Sequence, residues 1–327
     1  MSKRKRNSRL AAAALILILV LVMIYSGLRI LESTVFFTKQ EEAAVPTKTI
    51  TRSGVDYFPR QDITVILVMG IDEEGPVKDS GSYRNNGEAD MVAAVILDQT
   101  DETYTVLALN RDMMLEMPAL GVGGRQAGTF YGQLALSHTS GSGLADSAEN
   151  TRNTVSNLLY GINIDHYVAM NMDAIGILND AVGGVTVTVR DDFSAVDESL
   201  TPGEVTLNRE QALHYVRTRK DVGNQLNLSR MERHKEYLQG LSAALNRQLD
   251  DSDTFAAELY EEMSPYMVTD CSLNVVSGLM QRCADYSLKQ ILSVEGENVL
   301  GAEYYEFYAD EEKLDALILE LFYAPKK

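Results

Sequence analysis

Five cationic side chains crowd one short stretch, Ala212 to His234 (ALHYVRTRKDVGNQLNLSRMERH). They are Arg217, Arg219, Lys220, Arg230 and Arg233, set against only Asp221 and Glu232. The whole chain carries a formal charge of −18, so the concentration is local and specific. Guanidinium groups this close repel one another unless an anion sits among them. Arg217 and Arg219 stand at i and i+2 and share a face where the chain is extended, which suits a diphosphate through bidentate hydrogen bonds. Arg230 and His234 stand at i and i+4 in the first turns of a helix that Asn227 can cap. Cations there oppose the helix macrodipole, and the arrangement becomes favourable once an anion lies between them and the helix end. A solvated basic face is the plainer alternative.

A second group of charges sits at strand ends. Ile63–Met69 (ITVILVM) reads as a buried central strand ending in Gly70-Ile71-Asp72. After a polar, Gly-rich loop over Glu73–Gly87, Asp90 precedes the apolar strand Met91–Leu97. A turn over Asp98–Glu102 leads to Thr103–Asn110, which runs into Arg111-Asp112. Carboxylates at Asp72 and Asp90, beside Arg111 and the distant arginine cluster, suggest a divalent cation next to a phosphate, with Mg²⁺ the natural choice. A helix cap at Asp72 and a local Arg111-Asp112 ion pair are the structural alternatives.

The elements between these groups define the scaffold. Pro118–Gly143 reads as a long irregular segment. Asn150–Tyr160 and Asp173–Val182 carry helical apolar spacing, with a strand YVAMNM from Tyr167 between them. Gly183-Gly184 ends the second helix, and Val185–Val189 alternates as a strand. Asn208 with Gln211 forms a capping-box signature, and Leu238, Leu241 and Leu245 form the stripe of the following helix. This alternation predicts an α/β protein with helices on the faces of a sheet. The tail over 246–327 reads as mostly helical, with Ser272–Met280 and Glu311–Phe322 as its clearest helices.

The N-terminus carries the address. Residues 1–30 hold six Lys/Arg and no acid, leaving 23 basic against 47 acidic residues in the remainder, a net of −24. Leu10–Leu28 is uncharged, and its 19 positions span about 28 Å as a helix, the thickness of a bilayer core. The expectation is a cytoplasmic basic segment (1–9), a single uncleaved transmembrane helix (10–30), a stalk (31–60) and an extracytoplasmic domain (61–327). Its motif core covers 61–245. So acidic a domain argues against nucleic acid as a partner. Cys271 and Cys283 are compatible with a disulfide outside the cytoplasm or with two buried thiols. The four histidines show no zinc-ligand spacing, and no Cys/His cluster is visible.

Taken in order, these blocks resemble the LytR-CpsA-Psr (LCP) family of cell-wall glycopolymer ligases. The resemblance rests on VILVMGID ending at Asp72, on Asp90, and on Asn110-Arg111-Asp112 in place of the family's Pro-Arg-Asp. It continues through GINIDHYVAMNM, LNDAVGGVTVTV, EQALHYVRTRK and NLSRMERH, spanning about Ile63 to Tyr237. It implies an α/β/α fold, with a mixed central sheet sandwiched by helices and an apolar pocket for a polyprenyl chain. It further implies transfer of a glycosyl-phosphate polymer (teichoic acid-like or capsular) from a polyprenyl-pyrophosphate carrier to peptidoglycan, with Mg²⁺, at the outer face of the cell membrane. By position, Asp72 and Asp90 resemble the acidic, Mg²⁺-linked residues, and Arg111, Arg217, Arg219 and Arg230 the pyrophosphate-binding arginines. Asn227 and His234 complete that pyrophosphate set, standing where the family has Asp and Gln. The family's Arg-x-Asp appears as Glu88-Ala89-Asp90, with Arg84 the nearest substitute, and its Lys-x-Asn block as Gln133-Leu134-Ala135. Two alternatives follow: a regulatory ectodomain that binds polyprenyl phosphates without turnover, and a hydrolase acting on the same lipids.

Overall fold

A computed structural model describes residues 49–326 except 219–221, 223–226, 253, 272–274, 276–278, 280–281, 284–285 and 303. The expected basic segment and transmembrane helix (residues 1–30), Arg219, and the side chains of Asn227 and Arg230 lie outside the described residues. No described helix is long and apolar enough to cross a membrane.

In chain order the elements are β1 (Ile50–Arg52), β2 (Val55–Pro59), β3 (Ile63–Ile71), β4 (Ala89–Asp98), β5 (Thr103–Leu109), β6 (Met114–Leu120) and β7 (Gln126–Gln133). Then come α1 (Ala145–Leu158), β8 (His166–Asn171), α2 (Met172–Ala181), β9 (Val185–Val189), β10 (Gly203–Leu207), α3 (Arg209–Arg217), α4 (Asn227–Asp251) and α5 (Phe255–Met263). The chain closes with β11 (Met267–Thr269), β12 (Ser287–Ser293), β13 (Gly296–Leu300), β14 (Tyr305–Ala309), α6 (Glu311–Phe322) and β15 (Tyr323–Pro325).

The central sheet has six strands in the order β11-β8-β3-β4-β5-β12. It is mixed: β3 runs parallel to β8, β5 parallel to β12, and the remaining neighbours are antiparallel. The uninterrupted apolar runs of β3 and β4 arise because both faces are covered. Ile66 and Val68 point into one core with Ile177 and Leu178 of α2, Tyr215 of α3, Leu241 of α4 and Leu259 of α5. Val65, Leu67 and Met69 point into the other, with Val155 near the end of α1 and Ile318 and Leu321 of α6. The outcome is the expected α/β/α layering.

Local signals behave as their chemistry dictates. Asn208 caps α3 in a full capping box, accepting from the Gln211 amide at 2.9 Å while Gln211 accepts from the Asn208 amide at 3.0 Å. Gly184 adopts φ +94°, and a Cβ there would lie 2.8 Å from Thr206 Cγ2, so α2 can turn into β9 only through glycine.

Three expectations are corrected. The first part of Pro118–Gly143 is not irregular: through Gln133, β6 and β7 pair as a hairpin in which Pro118 opposes Thr129. Both strands are edges and β7 is mostly exposed, so no hydrophobic alternation announces them. The described tail is not helical throughout: besides α5 and the expected helix Glu311–Phe322 (α6), β11 and β12 close the central sheet at its two edges and β13–β14 form a hairpin, while most of Ser272–Met280 lies outside the described residues. The apolar positions of SLKQILS fit helical spacing, yet the segment is an edge strand buried on neither face alone. Residues 50–59, expected as the end of a stalk, are strands, with β2 pairing both β1 and β15.

The β2–β3 corner carries a pH prediction. Arg60 bonds Asp62 at 2.7 Å and Asp98 at 2.8 Å, and this guanidinium holds the Asp62 carboxyl down at about 2. A carboxylate depressed in the folded state stabilises the fold above its unfolded value, and that contribution is lost as pH falls towards 2. Asp62→Asn is therefore expected to flatten the decline of thermal midpoint between pH 4 and 2, compared with the parent chain.

Candidate functional site

Strand polarity builds the site. β8 runs parallel to β3, and β4 lies antiparallel between β3 and β5. The C-terminal ends of β3, β5 and β8 and the start of β4 therefore meet at one edge of the sheet. Asp72, Asp90, Arg111 and Asn171 follow or occupy those ends. A register shift between Gly70 and Ile71 tightens the corner, where a Cβ on Gly70 would lie only 3.2 Å from Met91 Cβ. The amides of Asp72 and Asp90 both donate to the Glu88 carbonyl, at 2.9 and 3.1 Å, so the two acidic residues are fixed side by side.

Arg111 sits amid three carboxylates. It bonds Asp90 through Nη1 and Glu88 through Nη2, and its Nε lies 3.3 Å from Asp112. Arg217, at the C-terminus of α3, reaches across to Asp72 at 2.7 Å and Glu74 at 3.1 Å. The structure thus brings Asp72, Asp90, Arg111 and Arg217 together, as the sequence predicts. Glu74 was not foreseen, because it lies in a loop with no periodic signal. Glu88, seen only as a departure from a motif, is a direct partner of Arg111. Arg84 instead lines a neighbouring polar pocket.

The α3 end is clamped from α4. Arg233 is 5% exposed; its Nε donates to the Tyr215 carbonyl at 3.0 Å, its Nη2 to the Thr218 carbonyl, and its Nη1 pairs with Asp191 at 2.7 Å. The guanidinium also lies over the Phe193 ring, 5.5 Å from its centroid. A cation on the last carbonyls of a helix is well placed against the macrodipole. His234 Nε2 lies 2.8 Å from the Val216 carbonyl and therefore donates to it. Arg233 belongs to the support of Arg217 and not to the anion cluster. Arg233→Met is expected to cost about 3 kcal/mol, the low end for breaking a buried ion pair. Urea unfolding checks this value.

Behind the charged mouth lies an apolar cavity of about 150 Å³. Val68, Ala93, Val95 and Val106 of the sheet, Ile175 and Leu178 of α2, and Leu238 and Leu241 of α4 form its walls. Asp90, Arg217 and His234 line the same cavity. An apolar chamber that carries charge at one side suits a ligand with a hydrocarbon chain and an ionic head.

The donor set at the mouth fits Mg²⁺. Asp72 and Asp90 bring hard carboxylate oxygens to the corner, each also paired with a guanidinium, Arg217 and Arg111 respectively. Asp72 Oδ1 is buried and meets Arg217 as a charge contact without a well-aligned hydrogen bond. Mg²⁺ uses one or two carboxylates and completes its shell with phosphate oxygens and water.

Both cysteines are buried, and burial pushes their thiols upward, Cys283 to about 11. Cys271 does approach His166 and Asp270, a grouping that sequence spacing hid. Asp270 there accepts the Tyr167 amide at 2.9 Å, and the raised Cys271 thiol disfavours the thiolate a metal needs.

Comparison with known proteins places this architecture. A TagU of Oceanobacillus iheyensis, a polyisoprenyl-teichoic acid–peptidoglycan teichoic acid transferase, is 25% identical over 262 residues, covering 78% of this chain and 74% of its own length. The biofilm regulatory protein A of Streptococcus mutans is 29% identical over 269 residues, covering 78% of this chain and 62% of its own. Among solved structures, TagT bound to LI-WTA is 25% identical with a TM-score of 0.57, over 80% of this chain and 90% of that one. Protein gbs0355 of Streptococcus agalactiae shares the fold at 24% identity with a TM-score of 0.65, over 80% of this chain and 86% of its own. The LytR_cpsA_psr family model matches residues 25–321, and the chain belongs to that family.

Proposed function

We propose that this protein is a membrane-anchored phosphotransferase that moves a glycosyl-phosphate polymer from a polyprenyl-pyrophosphate carrier to peptidoglycan. The observation that carries the reading is the apolar cavity lined at one side by Asp90, Arg217 and His234. The head-proximal end of the polyprenyl chain occupies the cavity. Arg217 and Arg111, with Arg219 and Arg230 from the same cationic stretch, hold the pyrophosphate, and Asn227 and His234 border it. The acceptor hydroxyl oxygen forms a bond to the glycan-side phosphorus. The bond from that phosphorus to the oxygen of the lipid phosphate breaks, and polyprenyl phosphate leaves. The hydroxyl proton passes to Asp72 Oδ2, the carboxylate oxygen away from the Arg217 contact. Asp90 would hold Mg²⁺, which would supply neutralisation of the charge spread over the transferring phosphoryl oxygens, and Asp72, the other acidic residue of the pair, keeps Oδ2 for the proton. Most of the rate enhancement then comes from positioning and preorganised charge.

The test uses the full chain in detergent with a polyprenyl-pyrophosphoryl glycan, soluble peptidoglycan strands and Mg²⁺. Acceptor-linked polymer is expected, and chelation by EDTA is expected to abolish it. Phosphate-bearing product formed equally without acceptor would replace this reading with hydrolysis.

A second reading is a lipid-binding regulator without turnover, in line with the regulatory name of the Streptococcus mutans relative. One observation favours it: Glu88 takes up Arg111 Nη2, a nitrogen otherwise available to phosphate. Lipid retained without product, together with a gain of transfer in Glu88→Arg, would support it.

A further inference from the structure

The polar pocket lined by Arg84 opens beside the charged mouth. Its volume is about 360 Å³, within the ~300–1,000 Å³ range of small-molecule sites. It is separated from the apolar cavity by Asn171, which lines both. Ile71 and Glu73, the residues on either side of Asp72, line it, as does Glu74, the partner of Arg217. The pocket therefore adjoins the chain at Asp72 and borders the apolar cavity at Asn171.

Its chemistry is polar but balanced. The charged groups in its lining are Glu73, Glu74, Lys78 and Arg84, two of each sign. A pocket so balanced does not select an anion, and it offers hydrogen-bonding groups of both kinds. One further group sharpens the choice. His138 lines this pocket and is 2% exposed. Its Nδ1 lies 2.9 Å from the Gly87 carbonyl, so Nδ1 carries the proton and donates. Nε2 is then left as an acceptor, and it has no hydrogen-bond partner among the described residues. Burial also holds the imidazole below its usual range, so the ring is neutral at physiological pH. A buried acceptor without a donor is costly and asks for an O–H or N–H from a ligand.

The loop is built to hold this ring still. The Asn85 side-chain amide donates to the His138 carbonyl at 2.9 Å and to Ser147 Oγ at 3.0 Å, and its oxygen accepts the Gly87 amide at 2.8 Å. A Cβ on Gly87 would lie 2.8 Å from Ile71 Cγ2, so the loop can pack against β3 only as glycine.

We infer that this pocket is the acceptor subsite, that it takes an uncharged, hydroxyl-rich sugar, and that His138 Nε2 accepts a hydrogen bond from one of its hydroxyls. This rests on the transferase reading above and names the place of its second substrate. His138 is here a binding residue and takes no proton.

The experiment measures two affinities of the full chain in detergent, one for soluble uncross-linked peptidoglycan strands and one for a polyprenyl pyrophosphate probe. Three variants are compared with the parent: His138→Asn, which keeps a donor for the Gly87 carbonyl and removes the Nε2 acceptor, and the exposed-site changes Lys78→Ala and Asn86→Ala. His138→Asn is expected to weaken strand binding about tenfold, the equivalent of one lost hydrogen bond to a buried group. Each rim variant is expected to weaken it about threefold to fivefold, and none is expected to move the lipid affinity. Strand binding unchanged in all three would overturn the inference while leaving the transferase reading in place. Inorganic phosphate competing with the strands in this pocket would likewise overturn it. Loss of lipid binding in the parent chain would instead strike the transferase reading itself.

Discussion

Arg217→Lys is expected to lower the turnover number for polymer transfer by about 10²–10³-fold, the range for removing one preorganised donor from a developing oxyanion. The side chain contacts two carboxylates through separate nitrogens, Nη2 to Asp72 and Nη1 to Glu74. A lysine ammonium is a single point charge and cannot bridge both while also facing a phosphate. Stability is expected to stay within about 0.5 kcal/mol, since the side chain is 45% exposed and the fold does not lean on it. The separation of the two effects is the informative part. Single-turnover assays with saturating lipid, beside thermal melts, measure it, and a turnover number within threefold of the parent would remove Arg217 from the mechanism.

Arg111→Met is expected to do the reverse and strike stability first. Its guanidinium is 13% exposed and is shared by Glu88, Asp90 and Asp112, the last two only 10% and 4% exposed at their side chains. Removing the cation takes the counter-charge from two buried carboxylates, at a cost of about 3–5 kcal/mol. Adding Glu88→Gln removes one of the repelling charges and is expected to recover about 1 kcal/mol, a coupling that a double-mutant cycle in urea measures. A single-variant cost below about 1 kcal/mol would mean that Arg111 is not the hub of the corner. Transfer is expected to vanish in both variants, since Asp90 loses the group that orients it.

How much of this was legible in the residues follows from the kind of signal each feature leaves. Asp72, Asp90 and Arg111 were readable because each adjoins an apolar run that is buried on both faces, and such runs identify central strands and their ends. The capping box at Asn208 and Gln211 was readable because its two reciprocal hydrogen bonds need those types at that spacing. Glu74 was hidden, as a loop residue whose partner is 143 positions away. The supporting role of Arg233, visible only as one cation of the cluster, was hidden for another reason: its main partners are backbone carbonyls, and every residue type supplies those. β12 was mistaken because an edge strand covered on part of each face spaces its apolar residues much as a helix does. The β6–β7 hairpin left still less trace, its outer strand being mostly in solvent. Chemistry at strand ends is therefore recoverable from one sequence, while its second partners require the fold.

The three-stranded sheet of β1, β2 and β15 has a mechanical meaning. Tyr57 pairs with Ile50 on one side and Pro325 on the other, so the first and last strands of the described domain share one strand as a common seam. A pull at Thr49 would first load the β1–β2 hydrogen bonds, and β2 would share it between its covalent link to β3 and its pairing with β15. The same proximity of ends favours circular permutation, with a short bridge from the C-terminal strand to β1 and a new opening in the exposed β6–β7 turn.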